Sequence, residues 1–128
     1  MGSELIHRGE TLPNHIWSAD SNFNNPELVY QIHKDYIDAG SNYITTNTFR
    51  TTPRAYKKTG LSQSDSIVMA HRSLRIAVRL ANKAANNKLK ILGSIAPLED
   101  CYEPKLFPGE KIAKNEFRQI GEWLVDEG

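Results

Sequence analysis

The stretch that decides the fold is NNPELVYQIHKDYIDAGSNYITTNTF, residues 24–49. Its first part predicts an amphipathic helix. Asn25 suits the cap because its side chain can accept from a free helical N–H, and Pro26 suits the first turn because its φ is fixed. Gly40 is typical of the left-handed residue that ends a helix. An apolar strand is predicted immediately afterwards, over residues 42–48.

The rest of the chain continues this alternation. After an irregular start with a short helix near residues 4–8, a second long helix is predicted over 64–86, a second strand over 90–97 and a third long helix from about 115 to 127. Such a rhythm is typical of an α/β protein with parallel strands. Helical spacing predicts that the following residues are buried: Leu28, Val29, Ile32, Tyr36, Ile37, Ile67, Ala70, Leu74, Ala77, Val78, Ala81, Phe117, Ile120, Trp123 and Leu124.

Composition narrows the class of protein. The 128 residues suffice for one domain at most, and a net charge of +1 gives no reason to expect nucleic acid or an acidic membrane as a partner. No apolar run approaches the ~20 residues of a membrane span, and the first residues lack the apolar region of a signal peptide. The single cysteine, Cys101, excludes an internal disulfide and a cysteine-rich metal site built by this chain alone. A cytoplasmic location is therefore expected.

Polar residues follow the first strand where a ligand site would be expected. The strand-to-helix connectors, about 49–63 and 98–111, are long, whereas the helix-to-strand links are short. In α/β folds, ligands bind beyond the carboxyl ends of the strands. Thr46, Asn47 and Thr48 lie at such an end. Their side chains are equally suited to binding a polar ligand and to anchoring the loops through bonds to the backbone.

Other reactive side chains give weaker signals. The histidines are scattered and none is expected to bind a metal; those on the predicted helices, His33 and His71, are expected at the surface or its boundary. Acidic neighbours of Cys101 oppose formation of a thiolate, so a packing role in its loop is favoured.

Two groups of basic residues are also favoured as solvated surface. The loop RTTPRAYKK, residues 50–58, could contact an anionic substrate, but a solvated loop is the preferred interpretation. A basic stripe on the second long helix indicates an outer face that meets solvent. It consists of Arg72, Arg75, Arg79 and Lys83.

Several motifs, in order, resemble the homocysteine S-methyltransferase family, which includes the homocysteine-binding domain of methionine synthase and the betaine-dependent enzyme. They are MGSEL, RG, WSA, NPELVYQIHKDYIDAGSNYITTNTF, GSIAPLEDCY and WLVDEG, and they extend from Met1 to Gly128. The resemblance implies a (β/α)8 barrel that transfers a methyl group to homocysteine, giving methionine. It also implies a zinc ion held by three cysteines, which lowers the pKa of the substrate thiol. Donors in the family include S-methylmethionine, S-adenosylmethionine, betaine and methylfolate.

The resemblance implies a set of substrate-binding residues but no catalytic or metal-binding residue in this chain. Arg50 stands near an aromatic position of the betaine-using branch, so betaine chemistry is not expected. The residues that match the substrate pocket of the family are Gly2, Ser3, Glu4, Thr46, Asn47, Thr48, Ser94 and Pro97.

We further expect residues 1–128 to be the N-terminal portion of a truncated barrel domain. LVDEG has the same form as YIDAG, which leads into a strand, yet no strand follows it. The family's zinc cysteines and first strand have no counterpart here, and a typical barrel has about 250 residues. The chain alone is therefore expected to be inactive. The alternative is a non-catalytic half-barrel module whose open strand edges pair with a second copy, as a homo-oligomer, or with another chain.

Overall fold

The computed structural model, which describes residues 1–128, contains six helices and two short strands. Turns of 3₁₀ helix occur at Trp17–Asp20 and Pro104–Leu106. The elements are α1 (Gly2–His7), α2 (Ser21–Asn24), α3 (Pro26–Asp38), β1 (Tyr43–Thr45), α4 (Pro53–Lys57), α5 (Gln63–Ala85), β2 (Lys90–Leu92) and α6 (Glu110–Asp126).

The two strands form a parallel sheet, as the alternation predicted. Ile44 is opposite Ile91, and helices α4 and α5 form the crossover between the strands. Ile44 packs against Ala81 and Ala85 of α5, which cover one face of the sheet. The observed class is a mixed helix and strand fold with a two-stranded parallel sheet.

Both strands are shorter than predicted. The predicted strands 42–48 and 90–97 continue beyond the observed ends at Thr45 and Leu92. The Thr46 N–H still donates to the Leu92 carbonyl, at 2.9 Å. After Thr46, the backbone ladder between the strands ends. The Thr48 hydroxyl, and not a backbone group, bonds to the N–H and carbonyl of Ser94 in the segment that follows β2.

Capping residues determine where several of the helices begin and end. The Asn25 side chain accepts from the Leu28 N–H, and Gly40 has φ of +96°, so the predicted punctuation of α3 is confirmed. Helix α6 begins at Glu110 rather than near residue 115, because the left-handed Gly109 at φ +94° redirects the chain there. Helix α4 was not predicted; its first turn is capped by Thr52, whose hydroxyl accepts from the Ala55 N–H.

Burial confirms most of the predicted apolar faces. The fully or nearly fully buried members are Val29, Ile32, Ala70, Leu74, Ala77, Val78, Ala81 and Ile120. The prediction is wrong for Tyr36, Ile67 and Phe117, which are exposed and belong to none of the buried apolar clusters. Leu28, Ile37, Trp123 and Leu124 are half-buried. No helix is long and apolar enough to cross a bilayer.

The prediction for one helical histidine is wrong. His33 is only 3% exposed, because it lies on the side of α3 that also buries Val29 and Ile32. His71 matches the expected boundary position: it is half-buried and stacks on Trp123, with ring centroids 4.6 Å apart.

An ion-pair cluster joins the two strand-to-helix connectors to α6. Arg54 donates to Glu116 from Nε at 2.9 Å, and also to Glu99 at 2.9 Å. Lys58 binds the second oxygen of Glu99. The expectation of a wholly solvated basic loop is therefore wrong for Arg54, whose side chain is 24% exposed. The basic stripe on α5 is exposed, as predicted.

Candidate functional site

Hydroxyl groups tie the carboxyl end of β1 to the segment that follows β2. The hydroxyls of Thr46 and Thr48 are 2.7 Å apart. Thr48 Oγ1 donates to the Ser94 carbonyl at 2.7 Å and accepts from the Ser94 N–H at 3.1 Å. Both threonines are buried. These bonds replace the strand ladder and fix the separation of the two strand ends.

Asn47 is held by a second asparagine on α2. Asn47 Nδ2 donates to Asn22 Oδ1 at 2.9 Å and to the Ser18 carbonyl at 2.7 Å. In return, Asn22 Nδ2 donates to the Asn47 carbonyl at 3.1 Å and to Ser73 Oγ at 3.0 Å. Both asparagines are 1% exposed, and Asn47 Oδ1 has no partner. The loop-anchoring interpretation of the polar tail is thus realised in the structure.

A cavity of about 240 Å³ opens beside this network. It brings together the start of α1, the 3₁₀ turn and both strand ends. Its lining residues are Met1, Gly2, Trp17, Ser18, Thr45, Thr46, Asn47, Phe49 and Ser94. The hydroxyls of Thr45 and Ser94 make no hydrogen bond within the chain, so they are free to bind a ligand.

Trp17 forms a wall of this cavity in a strained backbone conformation. Its φ of +48° lies in the left-handed region, which a bulky side chain rarely adopts. The indole lies against Gly2, where a Cβ would be 2.5 Å from Trp17 Nε1. Strain of this kind persists only where surrounding contacts enforce it, and it is common at functional sites.

A larger cavity of about 660 Å³ adjoins the first and shares Trp17 and Phe49 with it. Arg50 lies in its wall, with Cζ 5.6 Å from the centroid of the Phe49 ring. Its other lining residues are Asn14, His15, Ala55, Lys58, Leu98, Asp100, Cys101 and Tyr102. Cys101 is exposed and makes no disulfide.

Comparisons with known proteins identify the family. The sequence profile of the family described as homocysteine S-methyltransferase matches residues 1–127. This chain belongs to the homocysteine S-methyltransferase family. The homocysteine S-methyltransferase of Escherichia coli (strain K12) is 31% identical over 102 residues, which are 76% of this chain and 33% of that protein. The selenocysteine methyltransferase of Astragalus bisulcatus is 32% identical over 77 residues, or 60% of this chain and 23% of that protein.

Solved structures agree with this family membership. The crystal structure of the homocysteine methyltransferase MmuM from Escherichia coli, metallated form, matches with a TM-score of 0.81 at 30% identity. The match covers 100% of this chain and 48% of that chain. The oxidized form matches with a TM-score of 0.80 at 28% identity. The chain spans about a third or less of the length of the curated relatives that it matches.

Four of the eight residues suggested by the homocysteine S-methyltransferase resemblance meet at the smaller cavity: Gly2, Thr46, Asn47 and Ser94. The other four do not line it. Ser3 and Glu4 lie on α1, where Glu4 accepts from Arg8. Thr48 lies behind the lining within the hydroxyl network, and Pro97 is exposed further along the connector.

Trp17 and Asn22 are members of the site region that sequence reasoning assigned no role. Trp17 occurs in the WSA motif that contributed to the family resemblance, so that motif could have indicated that Trp17 belongs to the site. Asn22 gave none, because an isolated asparagine before a helix is ordinary loop composition.

The chain does not offer a ligand set for the zinc of the homocysteine S-methyltransferases. No group of three or more histidine, cysteine or acidic side chains is placed to hold a metal ion. A zinc site of this family's kind needs three protein ligands, and this chain contains one cysteine.

Burial and ion pairing shift the pKa values of Tyr56 and Glu99 in the connectors. Burial raises the pKa of the Tyr56 hydroxyl to about 12, so that group is neutral at physiological pH. Burial also opposes ionisation of Glu99. The hydrogen bonds that Lys58 and Arg54 donate outweigh this effect and lower the pKa of Glu99. The connector is thus held by a carboxylate that stays ionised.

Proposed function

We propose that this chain supplies the homocysteine-binding wall of a homocysteine S-methyltransferase. The observation that carries the proposal is the 240 Å³ cavity where Gly2, Thr46, Asn47 and Ser94 meet at the ends of parallel strands. Membership of the family and the fold match over the whole chain support it. Homocysteine is small enough for such a cavity, and the free hydroxyls of Thr45 and Ser94 suit its polar amino-acid end.

In the proposed reaction, a methyl group passes from a donor to homocysteine. A bond forms between the methyl carbon and the homocysteine sulfur while the bond from that carbon to the donor breaks. The donor keeps the electron pair of the broken bond, and the thiol of homocysteine loses its proton to solvent water. In a complete family member, a bound zinc would lower the pKa of that thiol; no residue of this chain is assigned to hold it.

The residues of this chain would then orient homocysteine without taking its proton. The Thr46–Thr48–Ser94 network holds the strand ends at a fixed separation, and the Asn22–Asn47 pair holds the loop that follows β1. Preorganisation of this kind improves a reaction by placing the reacting atoms within reach of each other.

The proposal includes a place for the chain in a larger barrel. We propose that residues 1–128 are an N-terminal portion of a (β/α)8 barrel and that the zinc ligands belong to other segments. The match to 48% of MmuM supports this arrangement. The chain alone is then expected to be inactive. A cytoplasmic location, supported by the lone unpaired Cys101, is also part of the proposal.

Homocysteine binding to the purified chain tests the proposal. Amide NMR spectra recorded during a homocysteine titration should show shifts at residues 45–48 and at Ser94. Ser94→Ala should weaken binding, whereas Ser64→Ala, which changes an exposed serine on α5, should leave it unchanged. Shifts spread over distant surfaces, or none at all, would contradict the proposal.

A methyl-transfer assay tests the expected inactivity. The purified chain is incubated with zinc, homocysteine and S-methylmethionine, and methionine is measured. No turnover above the background without protein is expected, because the chain lacks a metal-ligand set. Methionine formation that depends on the chain would show that residues 1–128 suffice for the reaction.

The free edges of the sheet favour a second candidate, an assembly module that pairs through strands. Each strand has one unpaired edge, and Tyr43 and Leu92 are 54% and 50% exposed. Two copies would contribute four strands, which is too few to close an eight-stranded barrel. Light scattering after size exclusion discriminates: a stable dimer favours the assembly module, and a monomer that binds homocysteine favours the methyltransferase wall.

A further inference from the structure

The larger cavity is lined by an arginine, Arg50, that has no ion-pair partner within the chain. Arg50 is half-buried, and its guanidinium makes no hydrogen bond or ion pair with any residue of the chain. Its nearest described interaction is the Phe49 ring. Arg54, four residues later, instead donates from its guanidinium to two carboxylates, those of Glu116 and Glu99. The contrast shows that Arg50 remains available to an anion from outside the chain.

None of the other charged groups of the cavity pairs with Arg50. Lys58 is paired with Glu99. Asp100 is exposed, and its Oδ1 accepts from the Tyr102 N–H within its own turn. His15 is exposed at the surface of the cavity. A planar guanidinium in such a position suits a carboxylate, which can accept two parallel N–H bonds from it.

The cavity also lies where a second substrate would have to be. It shares Trp17 and Phe49 with the smaller cavity proposed for homocysteine, so ligands in the two cavities would be neighbours. Transfer of a methyl group between two molecules requires that contact. Its volume of about 660 Å³ suits a molecule larger than homocysteine, and its apolar walls suit the body of such a molecule.

We propose that Arg50 binds the carboxylate of the methyl donor in the 660 Å³ cavity and thereby favours a donor with a free carboxylate over the same donor without one. This inference rests on the proposed function, because it takes the smaller cavity as the homocysteine site. It adds a specificity-determining residue to that function. Donors without an anionic group would bind in the same cavity but lose the contribution of Arg50.

Calorimetric titrations of the purified chain with S-methylmethionine and with its carboxamide test the inference. The wild-type chain should bind S-methylmethionine about tenfold or more tightly than the amide, since a hydrogen bond to a charged partner has at least that effect. Arg50→Gln should abolish the preference, and Arg50→Lys should keep part of it. Arg79→Gln, which removes an exposed arginine of α5, should bind like wild type.

The outcomes separate this inference from the proposed function. No preference in the wild-type chain, no binding of either compound, or unchanged discrimination in Arg50→Gln would overturn the role of Arg50. The homocysteine titration is run on the same samples. If homocysteine still binds at residues 45–48, only the Arg50 inference fails; if it does not, the proposed function fails as well. Thermal melts of Arg50→Gln should match wild type, because Arg50 makes no ion pair within the chain.

Discussion

His33 should make the stability of the protein fall between neutral and mildly acidic pH. Its side chain is buried on α3, and Nε2 has no hydrogen-bond partner. Burial, with a smaller contribution from the positive charge of the Met1 amino group, lowers the pKa of His33 from 6.5 to about 4. Folded molecules therefore keep His33 neutral over a range in which the unfolded chain binds a proton.

The size of the effect follows from these two pKa values. The unfolded chain binds more protons below pH 6.5, so the free energy of unfolding falls as the pH falls and levels off below pH 4. Each unit of difference in pKa corresponds to about 1.4 kcal/mol. The loss should reach about 2 kcal/mol near pH 5 and about 3 kcal/mol near pH 4, which is a large part of the stability of a small domain.

Urea unfolding followed by circular dichroism, at several pH values from about 7.5 to about 4.5, measures this loss. His33→Gln removes the titrating group. His7→Gln, which changes an exposed histidine of α1, is the matched control. Acidic groups that titrate in the same range affect all three proteins equally. A difference between wild type and His33→Gln in how the free energy of unfolding depends on pH is therefore due to His33. If wild type and His33→Gln lose stability in parallel, His33 is not held neutral in the fold.

Four further substitutions test the packing and bonding of the site. Gly2→Ala places a Cβ 2.5 Å from Trp17 Nε1 and should lower stability by about 1–3 kcal/mol, with altered tryptophan fluorescence; unchanged emission and melting would contradict this contact. Thr48→Val leaves the Ser94 carbonyl without its donor and should lower stability by about 1–3 kcal/mol in urea unfolding, whereas Thr48→Ser should recover most of it. Asn22→Leu removes the partner of the Asn47 amide and should lower stability by about 2 kcal/mol; the loss should largely disappear when Asn47 is already Leu, as a double-mutant cycle would show. Arg54→Met should lower stability by about 1 kcal/mol at low salt and by less at high salt, and thermal melts that do not depend on salt would count against the ion-pair cluster.

Local signals in the sequence were sufficient to predict the long helices and the parallel pairing. Asn25, Pro26 and Gly40 act within a few residues of their own position, so the pattern that predicts α3 is also what stabilises its ends. The apolar spacing of α5 predicted every buried residue it named except Ile67, because the rest of that face packs against the sheet and the neighbouring helices.

Features that depend on distant partners were missed. The first strand was predicted to extend too far because Thr46 and Thr48 have strand propensity. Their hydroxyls end the backbone ladder by bonding to Ser94, and Ser94 lies 46 residues after Thr48 in the chain. His33 was assigned to the boundary because composition alone does not indicate which side of a helix is covered. The Asn22–Asn47 pair joins residues 25 apart in the chain, and no local pattern marks such a bond.

The single pairing of each strand has a consequence for amide hydrogen exchange. Successive amides of a strand point to opposite sides, so only every second N–H of β1 can donate to β2. The N–H of Thr46, the residue after β1, donates to Leu92 and is shielded, whereas amides on the outer side of β1 have no strand beside them. Deuterium should therefore enter β1 in an alternating pattern of slow and fast sites. Any partner that occupies the outer edge would slow the fast sites selectively, residue by residue.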